Sequence, residues 1–287
     1  MAEHAHDVAL SEPAHDTAPT RFIDANGIRF AYRRFGQARG TPIVLNTHYR
    51  GTMDHWDPAI TDGLAKNREV ILFDNAGVGA SSGETPASFP ATATHAIAFM
   101  TSLGLSNADV LGYSIGGKVA QEIAVQAPRL VRKLILAGTG PRGADTAASK
   151  AAEIFAAHYD PPEHLWLAVH FSSSPAGRAA GLAYLKRKLR RKDRSPEVTE
   201  KSAAAQYEAI GKSNEKTEGV LDYLKDIRQP TLVVHGKTDL IIPTINSYTL
   251  QQNLPSAQLI IYPDSNHAPF YQYPELFLAH AELFLNA

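Results

Sequence analysis

The chain of 287 residues contains no cysteine. Disulfide staples, a thiolate nucleophile and cysteine-ligated zinc are thereby excluded. The same absence leaves the compartment open and tilts it slightly towards a reducing one, so the cytoplasm is the expected location. Charge of one sign is lacking as well. Lys and Arg number 28 against 29 Asp and Glu, a formal net charge of −1. No basic excess calls for nucleic acid, and no acidic excess calls for disorder. No apolar run approaches the length of a membrane span, so no membrane is expected as a partner. Residues 1–19 hold His4, His6, His15 and several acids, but neither the basic start nor the apolar core of a signal peptide. They read as a flexible tail. His4 and His6 in it are either an incidental polar pair or a metal-binding one.

What is present is an ordinary globular composition, 44% hydrophobic and 20% charged, over a length that suits one large α/β domain or two small ones. Residues 22–26 and 28–35, joined by Asn26-Gly27, predict a hairpin. Runs at 42–47, 69–74, 108–113, 133–137, 231–235 and 258–262 are short, β-branched and apolar, as strands buried on both faces should be. Between them Trp56, Ile60 and Leu64 fall at i, i+4 and i+8, as do Ile115, Val119 and Ile123. Residues 274–285 open with Pro274 at a helix-starting position. Strands alternating with helices imply a mostly parallel sheet covered on both faces.

From about 141 to 218 the alternation stops. Helical patterns at 144–158, 163–171, 176–191 and 196–212 are too extensive for a loop and predict a helical insertion between two strands. Within it, residues 186–194 carry seven basic side chains and one acid, Asp193. That run reads as a solvated helix face or, more sharply, as a docking patch for an anionic partner.

The run that carries most chemistry is Gly112-Tyr113-Ser114-Ile115-Gly116. It sits between a predicted strand and a predicted helix. The pattern G-x-S-x-G in that setting reads as a nucleophile elbow, a turn tight enough to push the serine hydroxyl outwards. Serine is a weak nucleophile unless a base lies within hydrogen-bond reach, and the base needs an orienting group. His267 stands in Asp264-Ser265-Asn266-His267, after the last strand and before the last helix, where a base can swing onto the elbow. His48 and His55 lie near the same place but precede the serine. His235 ends a strand, and His95, His158, His164, His170 and His280 lie in helix patterns; these read as surface or satisfied core residues. Asp239, after the strand 231–235, is the expected acid, at the strand end where open α/β sheets meet ligands. Asp264 is the fallback. Asp74 is expected to brace the glycine-rich turn that follows it. An oxyanion hole needs two N–H donors. Ile115 supplies one at the start of the helix. Tyr49 is chosen for the other, in the loop after 42–47, with His48 as the alternative.

Taken together, the chain resembles the α/β-hydrolase superfamily over almost all of residues 20–287. The residues that carry this are the elbow through Gly117, Asp74-Asn75-Ala76-Gly77-Val78-Gly79, His235-Gly236-Lys237-Thr238-Asp239 and Asp264-Ser265-Asn266-His267. Trp56 matches an aromatic common after the oxyanion loop. The resemblance implies an α/β-hydrolase fold. That is a mostly parallel eight-stranded sheet flanked by helices, with a core of 20–140 and 219–287 and a helical cap at 141–218 after the sixth strand. It implies the triad Ser114, Asp239 and His267, with no metal and no cofactor. Where most relatives start the oxyanion loop with His-Gly, this chain has Thr47-His48-Tyr49-Arg50-Gly51, similar to a subgroup with a His-aromatic-Arg-Gly loop. Arg50 either anchors a substrate carboxylate or holds the loop by bonding carbonyls.

Similar enzymes that act on haloalkanes or epoxides place aspartate at the elbow, which forms an alkyl ester. A serine suits acyl transfer. The expected reaction is hydrolysis of an ester, lactone or similar acyl bond of a small apolar molecule through an acyl-enzyme on Ser114. Carbon–carbon bond hydrolysis, cofactor-free perhydrolysis and a triad-bearing ligand receptor are the alternatives. Substrate contacts are expected from His48, Arg50, Met53, Tyr113, Trp166 and Leu240. Tyr159, Phe171 and Tyr184 either join that wall or pack the cap to the core. The expected partner is a small-molecule substrate, with a homodimer left open.

Overall fold

The computed structural model describes residues 14–287. β1 (Arg21–Ala25) and β2 (Ile28–Gly36) form a hairpin. Asn26 and Gly27 between them take φ of 50° and 75°, the left-handed pair that a two-residue turn demands. There follow β3 (Ile43–Asn46), α1 (Pro58–Ala65), β4 (Glu69–Phe73), α2 (Phe89–Ser102), β5 (Ala108–Tyr113), α3 (Ile115–Gln126) and β6 (Val131–Ala137). Next come α4 (Ala151–Ala156), α5 (Leu165–His170), α6 (Pro175–Lys188) and α7 (Glu200–Asn214). The chain then returns to the sheet with β7 (Thr231–Gly236), α8 (Ile245–Asn253), β8 (Ala257–Tyr262), α9 (Pro269–Gln272) and α10 (Pro274–Asn286).

The eight strands lie in the order β1-β2-β4-β3-β5-β6-β7-β8. β2 runs antiparallel to β1 and β4, and the remaining pairs are parallel. Successive side chains of a strand point to opposite faces. Leu45, Leu111, Ile135 and Val234 therefore join one core layer with α1 and α10. Val44, Val110, Leu134 and Val233 join the other with α2 and α3. The parallel strands end together, and their carboxyl ends present the loops that hold the site. Among the described residues no helix is long and apolar enough to cross a membrane.

Several local expectations are corrected. Residues 14–19 are no loose tail: His15 is buried, its Nδ1 2.8 Å from Thr61 Oγ1 and its N–H donating to Asp62 at 2.8 Å. The rest of that tail, with His4 and His6, lies outside the described residues. Trp56 precedes α1, because Asp57 caps the helix by accepting from Ala59 N and Pro58 opens it. Only Ala151–Ala156 of the pattern at 144–158 is helical. β8 is an edge strand and half-exposed, not buried on both faces.

The basic run 186–194 is neither a plain solvated face nor an open docking patch. Arg187 makes a bidentate pair with buried Asp57, 2.7 Å on each arm. Arg190 pairs with Asp16, and Arg191 bonds the carbonyls of His15 and Asp16. The Lys188 ammonium lies 5.6 Å over the Trp166 ring. Lys186, Lys192 and Arg194 face water, as does half of Arg190 around its pair with Asp16. The inward cations clamp the end of α6 onto α1 and the chain before β1.

Candidate active site

β5 is buried along its whole length and passes to α3 through Ser114 alone. Ser114 has φ 58° and ψ −121°, a conformation that costs a residue with a Cβ about 1–3 kcal/mol. The surroundings hold it there. Its N–H donates to Ala137 O at 2.9 Å, and its carbonyl accepts from Thr139 Oγ1 at 2.7 Å and Gly117 N at 2.9 Å. The glycines are sterically required. A Cβ at Gly112 would come within 2.6 Å of Gly117 Cα, and one at Gly116 would overlap the carbonyls of Asn46 and Thr47. Ser114 stands at the N-cap of α3, yet its hydroxyl makes no capping bond. It meets His267 Nε2 instead, at 2.8 Å.

His267 Nδ1 lies 2.8 Å from Asp239 Oδ2. A carboxylate only accepts, so Nδ1 carries the proton and Nε2 turns its lone pair to the serine hydroxyl. Asp239 Oδ1 accepts from Ile241 N at 2.8 Å and Ile242 N at 2.9 Å. Burial alone would raise the Asp239 carboxyl. The His267 charge and the side-chain bonds from His235 and His267 outweigh it and hold the group below the ordinary carboxylate range. Asn266 ties the acid loop to the inserted helices: its Oδ1 accepts from Leu240 N and its Nδ2 donates to Ala168 O, both at 2.8 Å.

The Ile115 N–H is the first of α3, without an intrahelical acceptor and at the positive end of the helix. Opposite stands the loop after β3. Gly51 N donates back to His48 O at 3.0 Å, His48 Nδ1 to Tyr49 O at 2.8 Å, and Arg50 takes φ 57°. Asp74 braces this loop as well as its own, accepting from Met53 N at 2.8 Å and Ala80 N at 3.0 Å. Burial pushes the Asp74 carboxyl up to about 6.

A cavity of about 390 Å³ opens over Ser114. Ser114, His267, His48, Tyr49 and Ile115 form its floor. Phe155, Trp166, Val169, Tyr207 and Ile210 close it from the inserted helices, and Ile241, Ile242 and Pro243 from the loop after β7. Its wall is mostly apolar, with Lys118 and Asn214 among the polar groups at one side.

Residues 41–274 match the family model described as alpha/beta hydrolase fold. The chain belongs to the α/β hydrolase fold family. An alpha/beta hydrolase fold protein from Chitinophaga pinensis superposes on this hydrolase with a TM-score of 0.89 at 40% identity, covering 96% of this chain and 100% of its own. A pimeloyl-acyl-carrier-protein methyl ester esterase of Nitrosomonas europaea is 31% identical over 180 residues, 59% of this chain and 68% of that one. A poly(3-hydroxyalkanoate) depolymerase of Ectopseudomonas oleovorans is 29% identical over 256 residues, 85% of this chain and 84% of its own.

Within this α/β hydrolase the structure brings Ser114, His267 and Asp239 into one hydrogen-bonded line and sets Ile115, Tyr49, His48 and Trp166 around the cavity. Four residues expected to contact substrate do not line it. Arg50 pairs with Glu200 at the start of α7 and bonds Gln206 through its N–H. Met53 is fully buried beneath the loop. Tyr113 packs its ring 5.1 Å from that of His267 and bonds His170 Nδ1 through its hydroxyl at 2.8 Å. Leu240 turns outwards, and its neighbours Ile241 and Ile242 take the wall. Phe171 and Tyr184 pack into the core rather than line the cavity, and Tyr159 does not line it, its hydroxyl donating to Ile154 O at 3.0 Å. The fallback acid, Asp264, accepts from Ser174 Oγ at 2.6 Å. Sequence reasoning missed Thr139, Asn266 and Lys118. Asn266 had a signal, its place beside His267, and Lys118 stands one helical turn after Ser114.

Proposed function

We propose that this hydrolase cleaves an ester or lactone of a small apolar acyl group through an acyl-enzyme on Ser114. The observation that supports this most is the unbroken line from Ser114 Oγ through His267 to Asp239, opening into an apolar cavity. Ser114 Oγ attacks the carbonyl carbon while His267 Nε2 takes its proton. The oxyanion that forms faces the N–H groups of Ile115 and Tyr49; losing one such donor costs about 3–4 kcal/mol of barrier. Asp239 stabilises the imidazolium. His267 then gives its proton to the leaving oxygen, and water activated by the same imidazole releases the acid. Cleavage of a carbon–carbon bond in an anionic substrate has less support: Arg50, the cation assigned to it, is engaged by Glu200 outside the cavity, and Lys118 at the cavity's side is held by Pro141 O, Ser213 and Asn214. A panel of p-nitrophenyl acyl esters, lactones and vinylogous diketone acids, run on the unaltered protein and on Ser114→Ala, tests the reading. Turnover of esters or lactones that drops by roughly a thousandfold or more in the variant is expected. Turnover retained in Ser114→Ala, or confined to the diketone acids, rejects it.

A further inference from the structure

β7 ends in His235-Gly236, and His235 is completely buried. Its Nε2 donates to the Ile242 carbonyl at 2.9 Å and lies 2.9 Å from Asp239 Oδ2. That oxygen is the one that also takes His267 Nδ1. Both neighbours of Nε2 are acceptors, so this nitrogen carries the proton. Nδ1 is buried without a partner. The opposite tautomer would set a lone pair against two oxygens and leave an unpaired N–H in the core, and each is costly. Ile242 closes the ring. Its N–H donates to Asp239 Oδ1 while its carbonyl accepts from His235.

We infer that His235 is a positioning residue for the acid of the triad: its Nε2–H, bonded to the Ile242 carbonyl, lies 2.9 Å from Asp239 Oδ2, aligning the carboxylate with His267 and drawing negative charge from the oxygen that His267 faces. This rests on the triad reading above. An oxygen already polarised by one N–H attracts a second less strongly. His235 therefore competes with His267 for that oxygen, and losing His235 would leave Asp239 to hold the imidazolium more tightly. The other titratable groups packed around the pair are Tyr113 from β5, His48 from the loop after β3 and His170 from α5. Burial pushes Tyr113 up, His48 down to about 3 and His170 well down. All three stay neutral in the working range, which leaves the acid limb of the rate profile to Asp239, His267 and His235 titrating as one group.

Two substitutions separate this from a packing role. In His235→Gln the amide nitrogen reaches the place of Nε2. In His235→Asn it falls one carbon short. The acid limb of kcat/KM for a hydrolysed ester is expected to move up by about half a pH unit or more in His235→Asn and to return towards the unaltered position in His235→Gln. An unmoved limb in His235→Asn, or equal shifts in both variants, overturns the inference. A second measurement needs no variant to fold and no turnover. The ¹⁵N shifts of His235 in the unaltered protein should show a protonated Nε2 and a bare Nδ1, and a protonated Nδ1 overturns the inference. Absence of any hydrolysed ester would instead sink the triad reading, and the tautomer result would stand apart from it.

Discussion

Gly116 lies directly under the carbonyl of Asn46, so close that no methyl group fits between them. The first turn of α3 thus packs backbone against backbone on the end of β3. That contact fixes the distance between the Ile115 N–H and the loop that carries Tyr49. Gly116→Ala must push α3 and β3 apart. The variant is expected to lose about 3 kcal/mol or more of stability and most of its turnover, read by urea denaturation and ester hydrolysis. Unchanged stability and turnover would mean that the elbow tolerates the separation.

Lys118 predicts a pH effect on stability. Its ammonium donates to Pro141 O at 2.8 Å, Ser213 Oγ at 3.0 Å and Asn214 Oδ1 at 3.1 Å, where the chain leaves β6 and where α7 ends. None of these acceptors is a carboxylate. Burial lowers the group from its ordinary 10.5 to about 7. Below pH 7 both the folded and the unfolded chain hold the proton, and the burial cost is felt in full. Between about 7 and 10.5 only the unfolded chain holds it, so stability rises with pH in that window. Lys118→Met removes the rise. The unfolding free energy of the unaltered protein, relative to Lys118→Met, is expected to grow by a few kcal/mol between about pH 7 and pH 10. A difference that stays flat with pH would contradict a buried ammonium here.

The cavity wall predicts chain-length preference. Ala152 on α4 lines the cavity yet is exposed on its other side, so a large side chain is tolerated there. Ala152→Trp should raise KM about tenfold or more for long acyl esters and leave acetyl esters nearly unchanged. Equal effects on both would mean that the acyl chain lies elsewhere.

The parts of this site legible in the sequence are those written in consecutive residues. The elbow, Asp239 after β7 and His267 after β8 each depend on a loop that follows a recognisable strand. Local turn chemistry also marked Asn26-Gly27 and Pro274. The cavity wall was not legible, because it is built by contacts across long stretches of chain. Arg50 reads from the sequence as a carboxylate anchor or a loop brace bonding carbonyls, and only α7, 150 residues on, brings Glu200 to it. The run 186–194 looked like surface because its acids, Asp16 and Asp57, lie far away in sequence. Leu240 and Ile241 are indistinguishable in apolar character, and only the turn fixed by Asp239 decides which faces inwards.

The central claim is that Ser114 is an activated nucleophile. A fluorophosphonate ester tests it directly, since an activated serine oxygen displaces fluoride and keeps the phosphonyl group. Peptide mass spectrometry should find one group per chain, on Ser114, with loss of ester turnover in step with labelling and no labelling in Ser114→Ala. Labelling at another residue, or full turnover by protein labelled at Ser114, would contradict the account.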